Sequence, residues 1–269
     1  IVYKLNELIK NNSMLPEFIE KMIKEYIVSG EIDKIINDIL SNYFLNVKNP
    51  PNNVDPASGD GTKDDTNAIQ ACIDYVGNKG GGSVYFPSGS YLTRSLNLRS
   101  NVTLFGFDRQ NTRIVLKGGE GSPLLHGNVN KVSVQNLQLD GNMDIQVNNL
   151  NLININGNDV YLSNFILTDG YTLIDVTLNG GYFQGENIIM KKAVVDGISL
   201  KGSGFASITN VVLESLSQLN GRYGLNIEVD NTTVHNFISK AITDVAINVK
   251  ADGCYITGNV TGSDRKSVV

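Results

Sequence analysis

The sequence predicts an all-β fold, a parallel β-helix, on three observations. Short apolar runs separated by Gly, Asn and Asp fill the chain from about residue 83 onward, with no second long helical pattern among them. Asparagines recur at a period of about 23 residues, which suits one coil of strands stacked ~4.8 Å apart. A second, apolar register recurs at a similar spacing. Together they predict at least six stacked coils.

Each recurring asparagine is followed by an apolar residue. The asparagines are Asn136, Asn164, Asn187, Asn210, Asn236 and Asn259, and their followers are Leu137, Phe165, Ile188, Val211, Phe237 and Val260. Asn tolerates a left-handed turn, and its amide can hydrogen-bond to the same amide one coil away. The apolar follower should then point into the core. The second register, Ile153, Ile174, Ile198, Leu225 and Ile247, argues against coincidental asparagines in a β sandwich.

Residues 59–91 combine a glycine turn, a helix and a short strand. Asp64, Asp65 and Thr66 suit a helix start, because they can cap free backbone N–H groups and their charge suits the positive end of a helix. The apolar residues that follow share one helical face: Ala68, Ile69, Cys72, Ile73 and Val76. Glycines end the helix before the strand Val84-Tyr85-Phe86.

The pair GDGTKDDTNAIQ, from Gly59, and GGGSVYFPSGSYL, from Gly80, resembles the opening of the pectate lyase superfamily. That family includes secreted polysaccharide lyases and hydrolases, and the tailspike and preneck appendage proteins of tailed bacteriophages. The resemblance implies a right-handed, single-stranded parallel β-helix whose first coil is capped by the helix near residues 64–77. It does not imply one reaction, because this scaffold hosts many chemistries.

The chain divides into three predicted parts. Residues 1–48 carry two amphipathic helical patterns on either side of Gly30, predicting either a helical pair folded onto its own domain or an oligomerisation and attachment segment. Residues 49–58, rich in Pro and Asn, predict a stiff linker. Residues 59–269 are the β-helix. Since no capping helix or hairpin pattern follows the last coil, we expect the natural protein to continue, or another chain to cover this end.

Composition excludes several classes of function. A formal net charge of −5 and a pI of about 5.1 argue against nucleic acid as the main partner, and no run of eighteen apolar residues predicts a membrane span. The two histidines have no cysteine pair near them, so no zinc site is expected. Cys72 and Cys254 should lie at opposite ends of a solenoid, which predicts buried free thiols rather than a disulfide.

Carboxylates and lysines are the remaining candidates for chemistry. Four or five residues after the recurring asparagines stand Asp140, Asp169, Lys191, Lys192 and Glu214, predicted to form a charged column on one face. Two carboxylates could serve a glycosidase, in which the distance between them distinguishes a retaining from an inverting mechanism. Alternatively, as in the family's lyases, carboxylates would hold Ca²⁺ while a lysine removes a proton. Both aspartates also precede glycine, so turn roles are the competing interpretation. No other cofactor is evident.

Exposed tyrosines are a further candidate feature. Tyr161, Tyr171, Tyr182, Tyr223 and Tyr255 predict either sugar-stacking platforms on the outer surface or aromatic padding of the strands. The motifs typical of the family's polygalacturonase branch do not occur in the predicted helix, so the resemblance does not extend to that branch.

The resemblance leaves two functional hypotheses. The first is a phage tailspike or appendage component, at the virion surface or extracellular, that recognises a host polysaccharide or teichoic acid, with or without degrading it. We would then expect a homotrimer, with the N-terminal helices contacting other virion proteins. The second is a secreted bacterial polysaccharide lyase or glycoside hydrolase. The helical segment and the missing catalytic motifs favour the first.

Overall fold

The computed structural model describes residues 44–146, 148–215, 222–240 and 245–257, and these form a parallel β-helix. Every strand pairing among the described residues is parallel, as the stacked-coil prediction requires. The strands are β1 (Phe44–Asn46), β2 (Asp60–Asp64), β3 (Gly82–Phe86), β4 (Gly89–Thr93), β5 (Leu96–Asn97), β6 (Val102–Gly106), β7 (Thr112–Leu116), β8 (Leu125–Gln135), β9 (Gln138–Asp140), β10 (Ile153–Leu213), β11 (Tyr223–Ile227), β12 (Thr232–Ser239), β13 (Val245–Val249) and β14 (Tyr255–Thr257). A helix, α1 (Thr66–Asn78), and a 3-10 turn (Met143–Ile145) complete the described elements.

The coils present three faces. Face A stacks β1, β3, β6, the second half of β8, and parts of β10, β12 and β14. Face B stacks β2, β4, β7, β9, part of β10 and the end of β12. Face C stacks β5, the first half of β8, part of β10, β11 and β13. The long strand β10 therefore winds through several coils and contributes to all three faces.

Inward-facing side chains stack in rows through the coils. On face B the paired residues Tyr91, Ile114, Leu139 and Leu167 form one such row, and each is fully buried. On face C the paired residues Ile198, Leu225 and Ile247 form another. The second register predicted from sequence is thus confirmed. Each residue is covered by its counterparts above and below, so apolar burial is continuous along the axis.

The recurring asparagines occupy the corner between faces A and B. All five that are described have left-handed backbone: Asn136, Asn164, Asn187, Asn210 and Asn236, with φ between 54° and 59°. The apolar residue after each one is buried, as predicted. Asn259 lies outside the described residues.

Amide-to-amide hydrogen bonds link three of the four neighbouring pairs. Asn164 donates to Asn136 at 2.6 Å, Asn210 donates to Asn187 at 3.2 Å, and Asn236 donates to Asn210 at 2.9 Å. The amide of Asn187 donates instead to the carboxylate of Glu186 at 3.4 Å. The ladder prediction is therefore confirmed, with a break between the coils of Asn164 and Asn187.

Replacing Asn210 with Leu should destabilise the β-helix by about 1–3 kcal/mol. Leucine in a left-handed conformation costs ~1–2 kcal/mol, and two amide hydrogen bonds are lost as well. Thermal melting measures the change. Asn210→Gly is the matched control, since glycine accepts this backbone but removes the amide, and it should lose less stability than the leucine variant. Equal melting of wild type and Asn210→Leu would refute the ladder's structural role.

Helix α1 covers the end of the first coils with the predicted apolar face. Ala68, Ile69, Cys72, Ile73 and Val76 are all buried. Burial raises the pKa of the Cys72 thiol to about 12, which makes it an unreactive core group. Both cysteines are free, as predicted, although Cys254 is half-buried rather than buried.

The predicted capping by Asp65 is wrong in detail. Its carboxylate makes no cap to the helix and accepts hydrogen bonds from the backbone N–H groups of Ser58 at 2.7 Å and Gly59 at 3.0 Å. Asp64 makes the contact at the helix start instead, since its carboxylate accepts a hydrogen bond from the backbone N–H of Thr66 at 3.1 Å. Asp65 therefore ties the preceding loop to the helix.

The β-helix begins earlier than the predicted boundary. Strand β1 lies within the range predicted as helical and pairs with β3. Val47 and Ala57 are buried, and the Ala57 N–H donates to the carbonyl of Val47 at 3.1 Å, so the predicted linker packs on this unit. Residues 1–43, which carry the predicted helices, lie outside the described residues.

Candidate functional site

The five sequence-predicted candidates lie on the outside of face B or at its edge. Asp140 is buried. Its carboxylate forms an ion pair with Arg113 and accepts a hydrogen bond from the Asn142 N–H at 2.8 Å. Strand pairing sets Asp140 opposite Thr168, so Asp169 stands one position beyond the expected column. The single column predicted from sequence is thus only partly in register.

The other candidates are joined in two further ion pairs. Lys192 lies 3.2 Å from Asp169, and Lys191 lies 3.7 Å from Glu214. The hydrogen bond and the charge of Asp169 raise the pKa of Lys192, with smaller contributions from Asp144 and Asp140. A lysine with a raised pKa is a poorer base at neutral pH. The face B residues therefore form a ribbon of ion pairs, and their catalytic role stays a prediction.

Face C carries a second row of polar residues, which the sequence analysis did not single out. Each one follows a buried residue of the second apolar register and therefore points outward. The row consists of Asn154, Asp175, Ser199, Asn226 and Asn248. Ser199, Asn226 and Asn248 are in register on neighbouring strands, and Asn248 donates to the Asn226 side chain at 2.7 Å.

Asp175 is the centre of this row. One carboxylate oxygen accepts a hydrogen bond from the Asn151 amide at 2.9 Å, and the other lies 3.2 Å from the ammonium of Lys201. The Lys201 side chain is nearly half exposed, while that of Asp175 is largely covered. A carboxylate and a cation are thus held side by side with access to solvent.

Asp196 and Arg222 form a second ion pair on face C. The Asp196 side chain is only 3% exposed, and it pairs with Arg222 at 3.1 Å while accepting from the Tyr223 N–H at 3.2 Å. Burial raises the pKa of Asp196, although the charges of Arg222 and Lys201 act in the opposite direction. Arg222 remains largely exposed. Asp196 therefore anchors the guanidinium, and among the described residues the Arg222 side chain stays 58% exposed.

The face C cluster can accept a proton beside a bound anion. We define it as Asn151, Asp175, Asp196, Lys201 and Arg222. Two exposed cations suit a carboxylate, sulfate or phosphate group, and Arg presents a planar fork of donors to such groups. Asp175 is a potential proton acceptor within hydrogen-bond reach of one of these cations.

A sequence signal for this cluster existed in the second apolar register. Reading one residue past Ile174 leads to Asp175, and reading three past Ile198 leads to Lys201. The five candidates predicted from sequence follow the asparagine ladder instead, which leads to face B. Arg222 and Asp196 precede the register residues Leu225 and Ile198, so counting forward from the register does not reach them.

The fit of a metal was tested on the described residues. In those parts of the chain, no group of three or more His, Cys, Asp and Glu side chains could hold a metal ion. The carboxylates of face B and face C are paired with Arg or Lys instead. The Ca²⁺ site considered from sequence stays a prediction. Among the described helices, none is long and apolar enough to cross a membrane.

Comparison with known proteins identifies relatives of the β-helix. Residues 56–266 match the family described as rhamnogalacturonase A/epimerase, pectate lyase-like. Mannuronan C5-epimerase AlgE5 of Azotobacter vinelandii is 30% identical over 213 residues, covering 68% of this chain and 20% of the epimerase. The chain therefore spans about a fifth of that relative's length.

Two viral structures share the fold. The pre-mature gene product 12 of bacteriophage phi29 superposes with a TM-score of 0.59 at 22% identity, covering 87% of this chain and 35% of the phage protein. ORF18 of Geobacillus virus E2 has a TM-score of 0.52 at 18% identity, covering 90% of this chain and 58% of that one. At these identities the likeness concerns architecture alone. Because the family match covers most of its length, this chain belongs to the pectate lyase-like family described as rhamnogalacturonase A/epimerase.

Proposed function

We propose that this β-helix acts on an anionic polysaccharide as a component of a phage tailspike or appendage that recognises a host cell-surface glycopolymer. The observation that carries the proposal is the face C cluster, where Lys201 is exposed beside the Asp175 carboxylate and Arg222 is exposed beside the Asp196 carboxylate. In a chain with a net charge of −5, two exposed cations held by carboxylates indicate a specific anion site.

The proposed chemistry begins with removal of a proton α to a uronate carboxylate. Arg222 and Lys201 bind that carboxylate and stabilise the negative charge that develops on it. Asp175 accepts the proton from the sugar carbon, and Asn151 and Lys201 hold its two oxygens in place. Cleavage of the bond between the adjacent carbon and the glycosidic oxygen then forms the carbon–carbon double bond of an unsaturated sugar, as in a lyase, and the leaving oxygen takes a proton from solvent. Return of a proton to the opposite face of the sugar carbon instead yields an epimer.

The viral part of the proposal is supported by the two phage structures with the same architecture. We place the protein outside the host cell or on the virion, with a surface polysaccharide or teichoic acid as ligand. The polymer's carboxylate or phosphate groups would meet the cations of face C. Contacts with other virion proteins are assigned to the segment before Phe44, which lies outside the described residues.

We further propose that the chain assembles as a homotrimer through face B. Half-buried apolar side chains form an outward row in successive coils there: Ile166, Ile189, Val212 and Ile238. Val212 and Ile238 are direct neighbours in the pairing of β10 with β12. Apolar residues pointing away from the core in consecutive coils are typical of a surface covered by another subunit.

Replacing Val212 with Glu should shift the protein from trimer to monomer. The new carboxylate would be buried in the proposed interface without a partner, which disfavours association. Light scattering of the full chain measures the mass. Thr209→Glu, on the outer surface of face A, is the control and should leave the mass unchanged. A trimer that persists in Val212→Glu would exclude this face as the interface.

A secreted bacterial polysaccharide lyase or hydrolase is the second candidate. The specific observation in its favour is the 30% identity to a bacterial mannuronan C5-epimerase over two thirds of this chain. The face C cluster serves the same chemistry in either setting. The two candidates differ in the partner of the protein, so co-purification with virion proteins would favour the first.

Turnover on a panel of polymers tests the proposed reaction. Uronans, sulfated galactans and teichoic acids are incubated with the protein, with and without Ca²⁺. Absorbance of unsaturated products reports elimination, reducing ends report hydrolysis, and exchange of sugar protons with solvent deuterium reports epimerisation. We expect activity on a uronan. Hydrolysis of a neutral polymer, or no turnover of any anionic one, would contradict the proposed chemistry.

A further inference from the structure

Three aromatic rings form a strip on the outside of the β-helix where face A begins. The rings of Tyr161 and Tyr182 lie 6.4 Å apart between centroids, at an interplanar angle of 41°. Tyr161 is 39% exposed and Phe205 is 57% exposed. Gly204 approaches Gly181 closely, since a Cβ on Gly204 would lie 2.6 Å from the Gly181 carbonyl oxygen, so Phe205 follows Tyr182 on the next coil.

The corner beside these rings is rich in glycine. Four glycines with positive φ occupy it: Gly180, Gly181, Gly202 and Gly204. A Cβ on Gly202 would lie 2.0 Å from the backbone oxygen of Leu178, so the adjacent coils touch through their backbones. A Cβ on Gly180 would meet nothing within 4 Å, which shows that the surface there is open. The glycines thus leave a flat, accessible floor next to the aromatic strip.

Exposed amides line the other side of the glycine floor. The Asn179 amide donates to the Asn156 side chain at 2.6 Å, and both residues are exposed. Asn128 pairs with Asn156 one coil earlier and borders a polar cleft of about 470 Å³. That cleft is also lined by Asn97 and Asn101. A line of amides therefore runs along this corner from the cleft to the glycine floor.

We propose that this corner is a second polysaccharide site, which binds a neutral pyranose chain along the axis of the β-helix. Aromatic rings pack against the apolar faces of sugar rings, and amides exchange hydrogen bonds with hydroxyl groups. The coil spacing of ~4.8 Å is close to the length of one pyranose unit, so successive coils can meet successive sugars.

The side chains proposed to hold the sugar are uncharged, which favours neutral sugars. Neither the three rings nor the two exposed amides carry a charge, whereas the face C cluster presents Lys201 and Arg222. Asp159, at the base of the strip, is engaged by the Tyr182 N–H at 3.2 Å. The inference rests on the proposed function in taking the ligand to be a polysaccharide, but it requires no turnover. It assigns this corner to holding the polymer rather than to chemistry.

Binding of cellohexaose and chitohexaose to the full chain tests the proposal. Saturation-transfer NMR and calorimetry compare wild type with Tyr182→Ala combined with Phe205→Ala. We expect the double variant to bind at least about tenfold more weakly, because it removes two stacking rings. Phe107→Ala is the matched control, since Phe107 is 60% exposed at a different corner, and it should bind like wild type. Tyr182→Phe keeps the ring and should also retain binding.

Each other outcome overturns the inference. Equal affinity of the double variant and wild type would show that the aromatic strip does not bind the sugar. Failure of wild type to bind either hexaose at millimolar concentration would show that the site does not exist. A change of mass by light scattering in the double variant, with hexaose binding unchanged, would make the strip a contact between copies of this chain. Lys201→Met separates the two proposals: it should lose turnover of anionic polymer and keep hexaose binding, whereas the aromatic double variant should do the reverse.

Discussion

Replacing Asp175 with Asn is expected to lower turnover of the anionic polymer by about 10²-fold or more, the usual contribution of a positioned general base. The amide has the same shape and can still contact Asn151 and Lys201, so the fold should be kept. Turnover is measured under saturating polymer, with thermal melting as a check on folding. The loss should appear in kcat, because proton transfer is made only in the transition state.

The matched control is the double variant Asp140→Asn with Asp169→Asn on face B. Since Asp140 is paired with Arg113 and Asp169 with Lys192, we expect this variant to lose some stability but to keep most of its activity. The opposite result, in which the face B variant is inactive and Asp175→Asn is active, would assign the chemistry to the column predicted from sequence.

Replacing Gly157 with Ala is expected to destabilise the β-helix by about 3 kcal/mol or more, at the upper end of overpacking costs. An added Cβ would lie 1.6 Å from the backbone oxygen of Val129 on the preceding coil. The position of the Cβ is set by the backbone of residue 157, and the oxygen belongs to the backbone of Val129. Both lie in the paired region of β8 and β10, so neither atom can rotate away. The melting temperature should fall by roughly 6 °C or more for a domain of this size.

Gly121→Ala is the control for this substitution. A Cβ on Gly121 meets nothing within 4 Å, and its backbone is not left-handed. This variant should melt within about 2 °C of wild type, since surface changes usually alter stability by less than ~0.5 kcal/mol. If both alanine variants melt alike, the close approach of the coils at Gly157 is not a constraint on the fold.

The ladder and the core rows were predictable because both are periodic in the sequence. Asn136 and Asn164 repeat a backbone requirement, the left-handed corner, and Leu137 and Phe165 repeat an apolar requirement, the covered core. Such requirements act on each coil separately, so they mark each coil's residues in the same way. The sequence analysis missed the start of the β-helix at Phe44. A strand of three residues is too short to show an alternating pattern, and the helical pattern before it extends to the same region.

The candidate site was less predictable for a physical reason. Asp175 and Lys201 are 26 residues apart, and Asp196 and Arg222 are also 26 apart, so each pair joins neighbouring coils. Which outward residues meet depends on the exact register between coils, and one inserted residue moves a side chain to the opposite surface. Asp140 and Asp169 illustrate this, since the register sets Asp140 opposite Thr168.

The sequence by itself determined the fold family, the capping helix, the asparagine corner and the apolar rows, because backbone preference and burial recur in every coil. Only the tertiary structure decided which charged residues are neighbours. It engaged the face B candidates in ion pairs, paired Asp175 with Lys201 and Asp196 with Arg222 on face C, and aligned Tyr182 with Phe205 beside four glycines. Outward side chains are not constrained by the core, so the contacts between them depend on coil length and register. Both are properties of the stacked coils rather than of any single coil.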